Sequence, residues 1–510
     1  MSNENSPAQE NGEVFPGQKK ISVGNDGLDN VLEGGLPENH IYLVEGEPGT
    51  GKTTLALQFL LEGARRGESV LYVTLSETKN ELINVAYSHH WSLEGLTIYE
   101  LIPTDESLKP ESQYTIFHPS EIELNETTSA ILREVERINP KRVVFDSLSE
   151  MRLLARDPLR YRRQILALKQ YFAPRDCTVM LLDDKTSDVN DLQVHSIVHG
   201  VLKLEHLAVE YSAERRRLRV SKLRGTRFRG GYHDFNIETG GLSVFPRLVS
   251  ADHQPNAQKE TVTTGVRELD KLLGGGLVRG TSTLIIGPAG SGKSSLATHF
   301  IAAVAGRGEK SAIFIFDEIE ETFVDRAKNI GTPIDQFIVD GLIKMQQIDP
   351  AALSPGEFAH LILKAVKQDD VKFVVIDSLN GYLDSMPEER FLTLQMHELL
   401  TFLNQQGIIT VLIMGQHGFL GSQMKTPVDV SYLADSVLLL RYFESHGAVR
   451  RAVSVVKKRT GSHENTIREM DISSEGIRVG KTLNEFQGVL TGSPVYTGRN
   501  RQISDFDAEE

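Results

Sequence analysis

The sequence predicts an α/β fold of two tandem domains, each built on a mostly parallel central sheet. Three observations carry that prediction: a glycine-rich loop that occurs twice, a repeat of its surroundings at a constant offset, and short apolar segments alternating with helical ones in both halves. The first loop reads Gly46-Glu47-Pro48-Gly49-Thr50-Gly51-Lys52-Thr53, and the second Gly287-Pro288-Ala289-Gly290-Ser291-Gly292-Lys293-Ser294. Both fit G-x-x-x-x-G-K-[ST]. Each follows an apolar run (Ile41-Tyr42-Leu43-Val44 and Thr283-Leu284-Ile285-Ile286) and leads into a stretch with helical spacing, the context in which the pattern signals nucleotide binding. Glycines let backbone N–H groups curl around phosphates at a helix N-terminus. The lysine neutralises phosphate charge, and the Thr or Ser hydroxyl suits Mg²⁺.

Lys293 lies 241 positions after Lys52, and the same offset relates Gly24, Leu28-Asp29, Gly34-Gly35-Leu36 and Glu77 to Gly265, Leu269-Asp270, Gly275-Gly276-Leu277 and Glu318. Asp146 pairs with Asp377 and Arg224 with Arg459 at slightly shorter offsets, as loop insertions and deletions would produce. The repeat is domain-sized. It predicts a mobile tail over 1–18, a first domain over 19–248, a polar linker over 249–260, a second domain over 261–495 and an acidic tail over 496–510.

Within each half, Val70–Leu75 reads as a buried strand and Arg142–Ser147 as an apolar run ending in an acid, the latter matched by Lys372–Ser378. Ligands of such sheets sit beyond the carboxyl ends of the strands. Asp146 and Asp377 fall there. An apolar run ending in Asp reads by itself as a cap or turn; with the loops upstream it reads as a metal-holding carboxylate beside Thr53 and Ser294. Glu77 follows the Val70–Leu75 strand, and Asp317 with Glu318 the equivalent strand Ala312–Phe316; acids there read either as solvated loop residues or as carboxylates that direct a nucleophile onto a terminal phosphate.

Composition narrows the class. Charged residues at 24% and hydrophobic residues at 40% are ordinary for globular chains. No apolar run approaches the ~20 residues of a membrane span, and Met1–Ser6 lacks a basic-then-apolar leader, so no membrane association and a cytoplasmic location are expected. The lone Cys177 excludes an internal disulfide and reads as a small core residue. A net charge of −14 argues against a dedicated nucleic-acid partner. The basic stretch Arg152, Arg156, Arg160, Arg162 and Arg163 keeps a DNA-acting ATPase open as an alternative.

Taken together, these residues resemble KaiC and the KaiC-like ATPases, relatives of RecA and of DnaB-type helicase domains. The resemblance spans both halves. It is carried by the entry segment Thr264–Asp270, the two loops, the acidic strand tips, the Asp-Ser-Leu turns and two late basic motifs, Lys222-Leu223-Arg224-Gly225-Thr226 and Lys457-Lys458-Arg459-Thr460-Gly461-Ser462-His463. It implies RecA-like domains, ATP with Mg²⁺ at each loop, and a homohexamer of two tiers. It also implies that Lys222, Arg224, Lys457 and Arg459 reach across a subunit boundary to the neighbour's γ-phosphate. Ser431 matches a serine that the clock member phosphorylates, which implies serine autokinase activity in the second domain and a clock-like or signalling role with a KaiB-like or response-regulator partner.

The departures are specific. Where the family carries two adjacent glutamates, the halves have Ser76-Glu77 and Asp317-Glu318, so base chemistry in the first half rests on Glu77 and a nucleotide-gated scaffold with weak chemistry stays open. The family's acceptor threonine is Tyr432 here, a poorer acceptor in a pocket shaped for threonine. The tail differs after Pro494, which argues against a KaiA-type partner.

Overall fold

The computed structural model describes residues 19–101, 119–155, 157–184, 193–207, 214–252, 260–349, 351–384, 392–416, 432–445, 447–490 and 495–497. The predicted tail over 1–18 and nearly all of that over 496–510 lie outside these residues, as do Ser431 and Arg156. Contacts divide the chain into two units that meet in sequence at Arg247 and Leu248. The predicted linker begins as a 3-10 turn, Ser250–Asp252, whose Ser250 N–H donates to Glu398 at 3.0 Å.

Each unit is built on a nine-stranded sheet with helices on both faces, beside short two-stranded pairs such as Lys20–Ile21 with Leu36–Pro37. In the first, the strands are β1 Ile41–Glu45, β2 Val70–Thr74, β3 Leu96–Glu100, β4 Arg142–Asp146, β5 Thr178–Asp183, β6 Gly200–Leu207, β7 Arg215–Leu223, β8 His233–Glu238 and β9 Gly241–Phe245, in the order 9-8-7-6-1-5-4-2-3. In the second they are β10 Ser282–Gly287, β11 Ser311–Ile315, β12 Ile343–Gln347, β13 Phe373–Asp377, β14 Ile409–Gly415, β15 Ser436–Ser445, β16 Ala448–Lys458, β17 Ile467–Ser473 and β18 Gly476–Thr482, in the matching order. Strands β1–β6 are parallel and β7–β9 antiparallel, and the second unit repeats this. The predicted fold class is the observed one.

The strands read as continuous apolar runs because both faces are covered. In β1, Tyr42 and Val44 enter one core while Ile41 and Leu43 enter the other. In β10, Ile285 takes one side and Leu284 and Ile286 the opposite one. Cys177 is buried just before β5. Helices α1 (Lys52–Arg65) and α3 (Lys293–Ala305) start at the loop lysines, while α2 (Lys79–Ser88) starts at Thr78, where a capping box with Glu81 satisfies first-turn N–H groups. Helix α4 (Glu320–Asn329) is the counterpart of α2.

One buried cation ties the first unit together. Arg142, fully buried, donates from Nη1 to the carbonyls of Ser22 and Phe59 at 2.7 and 2.9 Å and pairs through Nε with Glu68 at 2.5 Å. Removing it leaves buried carbonyls and a carboxylate without their donor, so Arg142→Ala should destabilise the first unit by about 3 kcal/mol. Trp91 is the only tryptophan and lies in this unit. Its fluorescence during chemical denaturation isolates the effect; an unchanged midpoint would contradict the assigned role.

Candidate functional site

Both loops leave the carboxyl end of a central strand and turn into a helix through left-handed glycines. Gly51 has φ 94° and Gly292 φ 99°; a Cβ there would also lie 2.8 Å from Ile237 and 2.3 Å from Ile472. The halves therefore share one loop geometry, with the antiparallel strands packed against it. Lys52 Nζ donates to the carbonyls of Gly46 and Glu47, both at 2.9 Å, and pairs with Asp184 at 2.9 Å. Lys293 Nζ donates to the Pro288 carbonyl at 2.8 Å, and burial lowers its pKa.

The strand-end carboxylates meet the loop hydroxyls. Thr53 Oγ1 donates to Asp146 Oδ2 at 3.4 Å, and the Tyr72 hydroxyl donates to the same oxygen at 2.5 Å. Burial raises the Asp146 pKa, opposed by the Tyr72 hydrogen bond. Asp377 is pushed up to about 6, first by burial, with Ser294 hydrogen-bonded to it. Its Oδ2 is buried without a hydrogen-bond partner among the described residues. A buried carboxylate oxygen beside a loop hydroxyl fits the ligand needs of a hard divalent cation. Among the described residues no group of three or more His, Cys, Asp or Glu could hold a metal alone, so such an ion would share its ligands with phosphate.

The acids expected to direct a nucleophile differ between halves. Glu77 is pushed up to about 7, mainly by burial and then by Asp146, Glu81 and Asp184. Its Oε2 is buried and unpartnered among the described residues. In the second half Asp317 accepts from the Ser378 hydroxyl at 2.5 Å, and Glu318 is paired with Arg326 at 2.6 Å. A cavity of about 360 Å³ brings Lys293, Ser294, Asp317, Glu318, Asp377 and Arg326 together.

The four late cations are elsewhere. Lys222 faces Val201, one residue past Gly200, which pairs with Tyr42 near the start of β1, whereas the first loop follows the other end of that strand. Lys457 faces Val437, which pairs with Leu284 near the start of β10. Lys222 donates to the carbonyls of His195 and Val198, and Arg224 to that of Ser196 at 2.9 Å. Lys457 donates to the Ala434 carbonyl at 2.8 Å, and Arg459 to that of Tyr432 at 2.9 Å. Tyr432, half exposed, thus takes the place of Ser196, and His195 stands at the position of Ser431. The His195 imidazole is bound to Glu45 at 2.6 Å.

Several of these partners were not singled out in the sequence. Tyr72, Asp184 and Arg326 act through contacts between elements. Only Asp184 carried a usable signal, because Asp183-Asp184 ends an apolar strand as Asp146 does. Within the basic stretch, Arg152 is paired with Asp183 at 2.6 Å, while Arg160 and Arg163 are exposed.

The model of the family described as "ATPase: KaiC" matches residues 21–249 and again 262–484. The circadian clock protein KaiC3 of Synechocystis sp. is 26% identical over 498 residues, covering 95% of this chain and 96% of its own. The circadian clock oscillator protein KaiC of Parathermosynechococcus lividus is 28% identical, covering 94% of this chain and 88% of its own. That of Picosynechococcus sp. is 26% identical, covering 96% and 95%. Among the described residues no helix is long and apolar enough to cross a membrane.

Glu77 allows a test independent of any ligand. Its folded pKa lies above its unfolded one, so its ionisation opposes folding as pH rises from about 4.5 through about 7. At pH ~8, Glu77→Gln should stabilise the first unit by about 1 kcal/mol after allowance for solvent screening, a gain that vanishes toward pH ~4.5. Trp91-monitored denaturation across that range checks it; a pH-independent gain would remove the carboxyl from consideration.

Proposed function

This chain belongs to the KaiC family of ATPases, and we propose that it binds Mg²⁺–ATP at both loops, at the seams of a two-tier homohexamer. We further propose that it hydrolyses ATP in the first tier and carries serine autokinase activity in the second, serving a clock-like or signalling output. The observation that carries this reading is the opposed placement of loop and cations. Lys222 and Arg224 are anchored at the end of the sheet away from their own phosphate loop, so a phosphate they touch is one held by another protomer.

In the first tier Lys52 would exchange Asp184 for phosphate oxygens, and Thr53 with Asp146 would hold Mg²⁺. Ser294 with Asp377 would do so in the second. Such an ion would supply charge neutralisation to the phosphate chain. Glu77 receives a proton from the attacking water as the water oxygen bonds to the γ-phosphorus and the bond to the β-bridging oxygen breaks, releasing ADP. A carboxyl poised near neutrality suits that role. Arg224 of the adjoining protomer would stabilise the charge on the transferring phosphoryl group.

Serine transfer is assigned to the second half because Ser431 lies there, outside the described residues. The first half offers His195 at that position, with its imidazole engaged by Glu45. In the transfer the Ser431 hydroxyl replaces water, and Asp317 or Glu318 receives its proton. A KaiB-like or response-regulator partner would read the state of the ring.

Three measurements test this. Lys52→Ala and Lys293→Ala should each remove nucleotide from one tier, halving the ATP bound per chain; full occupancy in both would contradict the site assignment. Lys52→Ala and Arg224→Ala proteins, each without first-tier turnover, should regain part of their phosphate release when mixed, because some seams then hold one intact loop and one intact cation pair. Mixed rings that stay inactive would overturn the shared seam. Incubation with γ-labelled ATP should label wild-type protein and not Ser431→Ala; equal labelling would place the acceptor elsewhere.

A further inference from the structure

Arg326 is the charged group of the second site that neither the loop motif nor the strand-tip acids account for. It projects from α4 into the cavity that also contains Lys293, Ser294 and Asp377. Its guanidinium rests over the Phe323 ring at 4.7 Å and donates from Nη1 to Glu318 Oε2 at 2.6 Å. Its Nε and Nη2 are buried and have no hydrogen-bond partner among the described residues. Burying N–H donors of a cation without acceptors is unfavourable, and a planar fork with donors to spare matches the oxygens of a phosphate. The cavity restricts which phosphate this is. Lys293 and Ser294 form the phosphate end of the loop, and Asp317 and Glu318 mark the side from which a nucleophile would come.

We propose that Arg326 bridges Glu318 to the terminal phosphate of the nucleotide held in its own protomer. The corresponding position of the first site carries no cation. At the offset that relates Glu77 to Glu318, Arg326 corresponds to Val85, a partly buried apolar residue packed into the core. The second site therefore tells ATP from ADP by a guanidinium in cis, at a position where the first carries Val85. This rests on the reading that the second loop holds ATP.

The test uses the full-length chain carrying Lys52→Ala, so that only the second loop binds nucleotide. Affinities for ADP and for a non-hydrolysable ATP analogue, both with Mg²⁺, are measured by calorimetry. Arg326→Gln should weaken the analogue by about tenfold and leave ADP unchanged, as expected for one charge-assisted phosphate contact. Retained ADP binding also shows that the variant is folded. Arg326→Lys should fall between, keeping charge but losing the fork, and Glu318→Gln should keep the preference for the analogue. Equal losses for both nucleotides, or no loss for either, would overturn the proposal while leaving the loop's assignment intact. A Lys52→Ala parent that binds neither nucleotide would instead overturn the reading of the loop, and the inference with it.

Discussion

The parallel pairing of Ile41–Glu45 with Gly200–Leu207 governs much of what this molecule can do. Because the two strands run together, the loop that leaves Glu45 and the backbone that precedes Gly200 lie at opposite ends of one sheet. The antiparallel strand Arg215–Leu223 then brings Lys222 back to the Gly200 end, where three carbonyls hold it and Arg224. The second unit repeats the arrangement with Ser282–Gly287, Ser436–Ser445 and Lys457. A parallel sheet thus separates what a protomer grips from what it offers.

On that shared frame the halves have diverged in charge. Glu45, Lys203 and Asp183 of the first unit correspond through the strand registers to Ile286, Leu439 and Met414 of the second. The first unit therefore carries ionised groups beneath its loop where the second carries hydrocarbon. The strand tips differ too: among the described residues Glu77 forms no ion pair, whereas Glu318 is paired with Arg326. Tyr72, which donates to Asp146, corresponds to Ile313. Two sites with one backbone geometry are thus electrostatically distinct.

Much of this was legible in the sequence because it is local. The loops, the helices that follow them and the strand-end acids Asp146 and Asp377 are contiguous patterns whose physics needs few distant partners, and the duplication supplied a second copy of each. The continuous apolar runs were enough to announce a doubly covered parallel sheet. Lost to the sequence were contacts made across elements. Tyr72 reaches a carboxylate on the adjacent strand, Asp184 reaches Lys52 from the end of another, and Arg326 turns back from its helix to Glu318. Each looks unremarkable in its own segment, since a tyrosine in a buried strand or an arginine on a charged helix has many ordinary explanations.

The Glu45–His195 contact gives the first unit a property the second does not share. Glu45 immediately precedes Gly46, and His195 belongs to the short helix Gln193–Ile197 whose carbonyls help to hold Lys222 and Arg224. One side-chain contact therefore joins the residue that precedes the phosphate loop to the helix whose carbonyls hold the late cations. Isoleucine stands in place of Glu45 in the second half, and a hydrocarbon side chain cannot make that ion pair, so this route from loop to cations belongs to the first half alone.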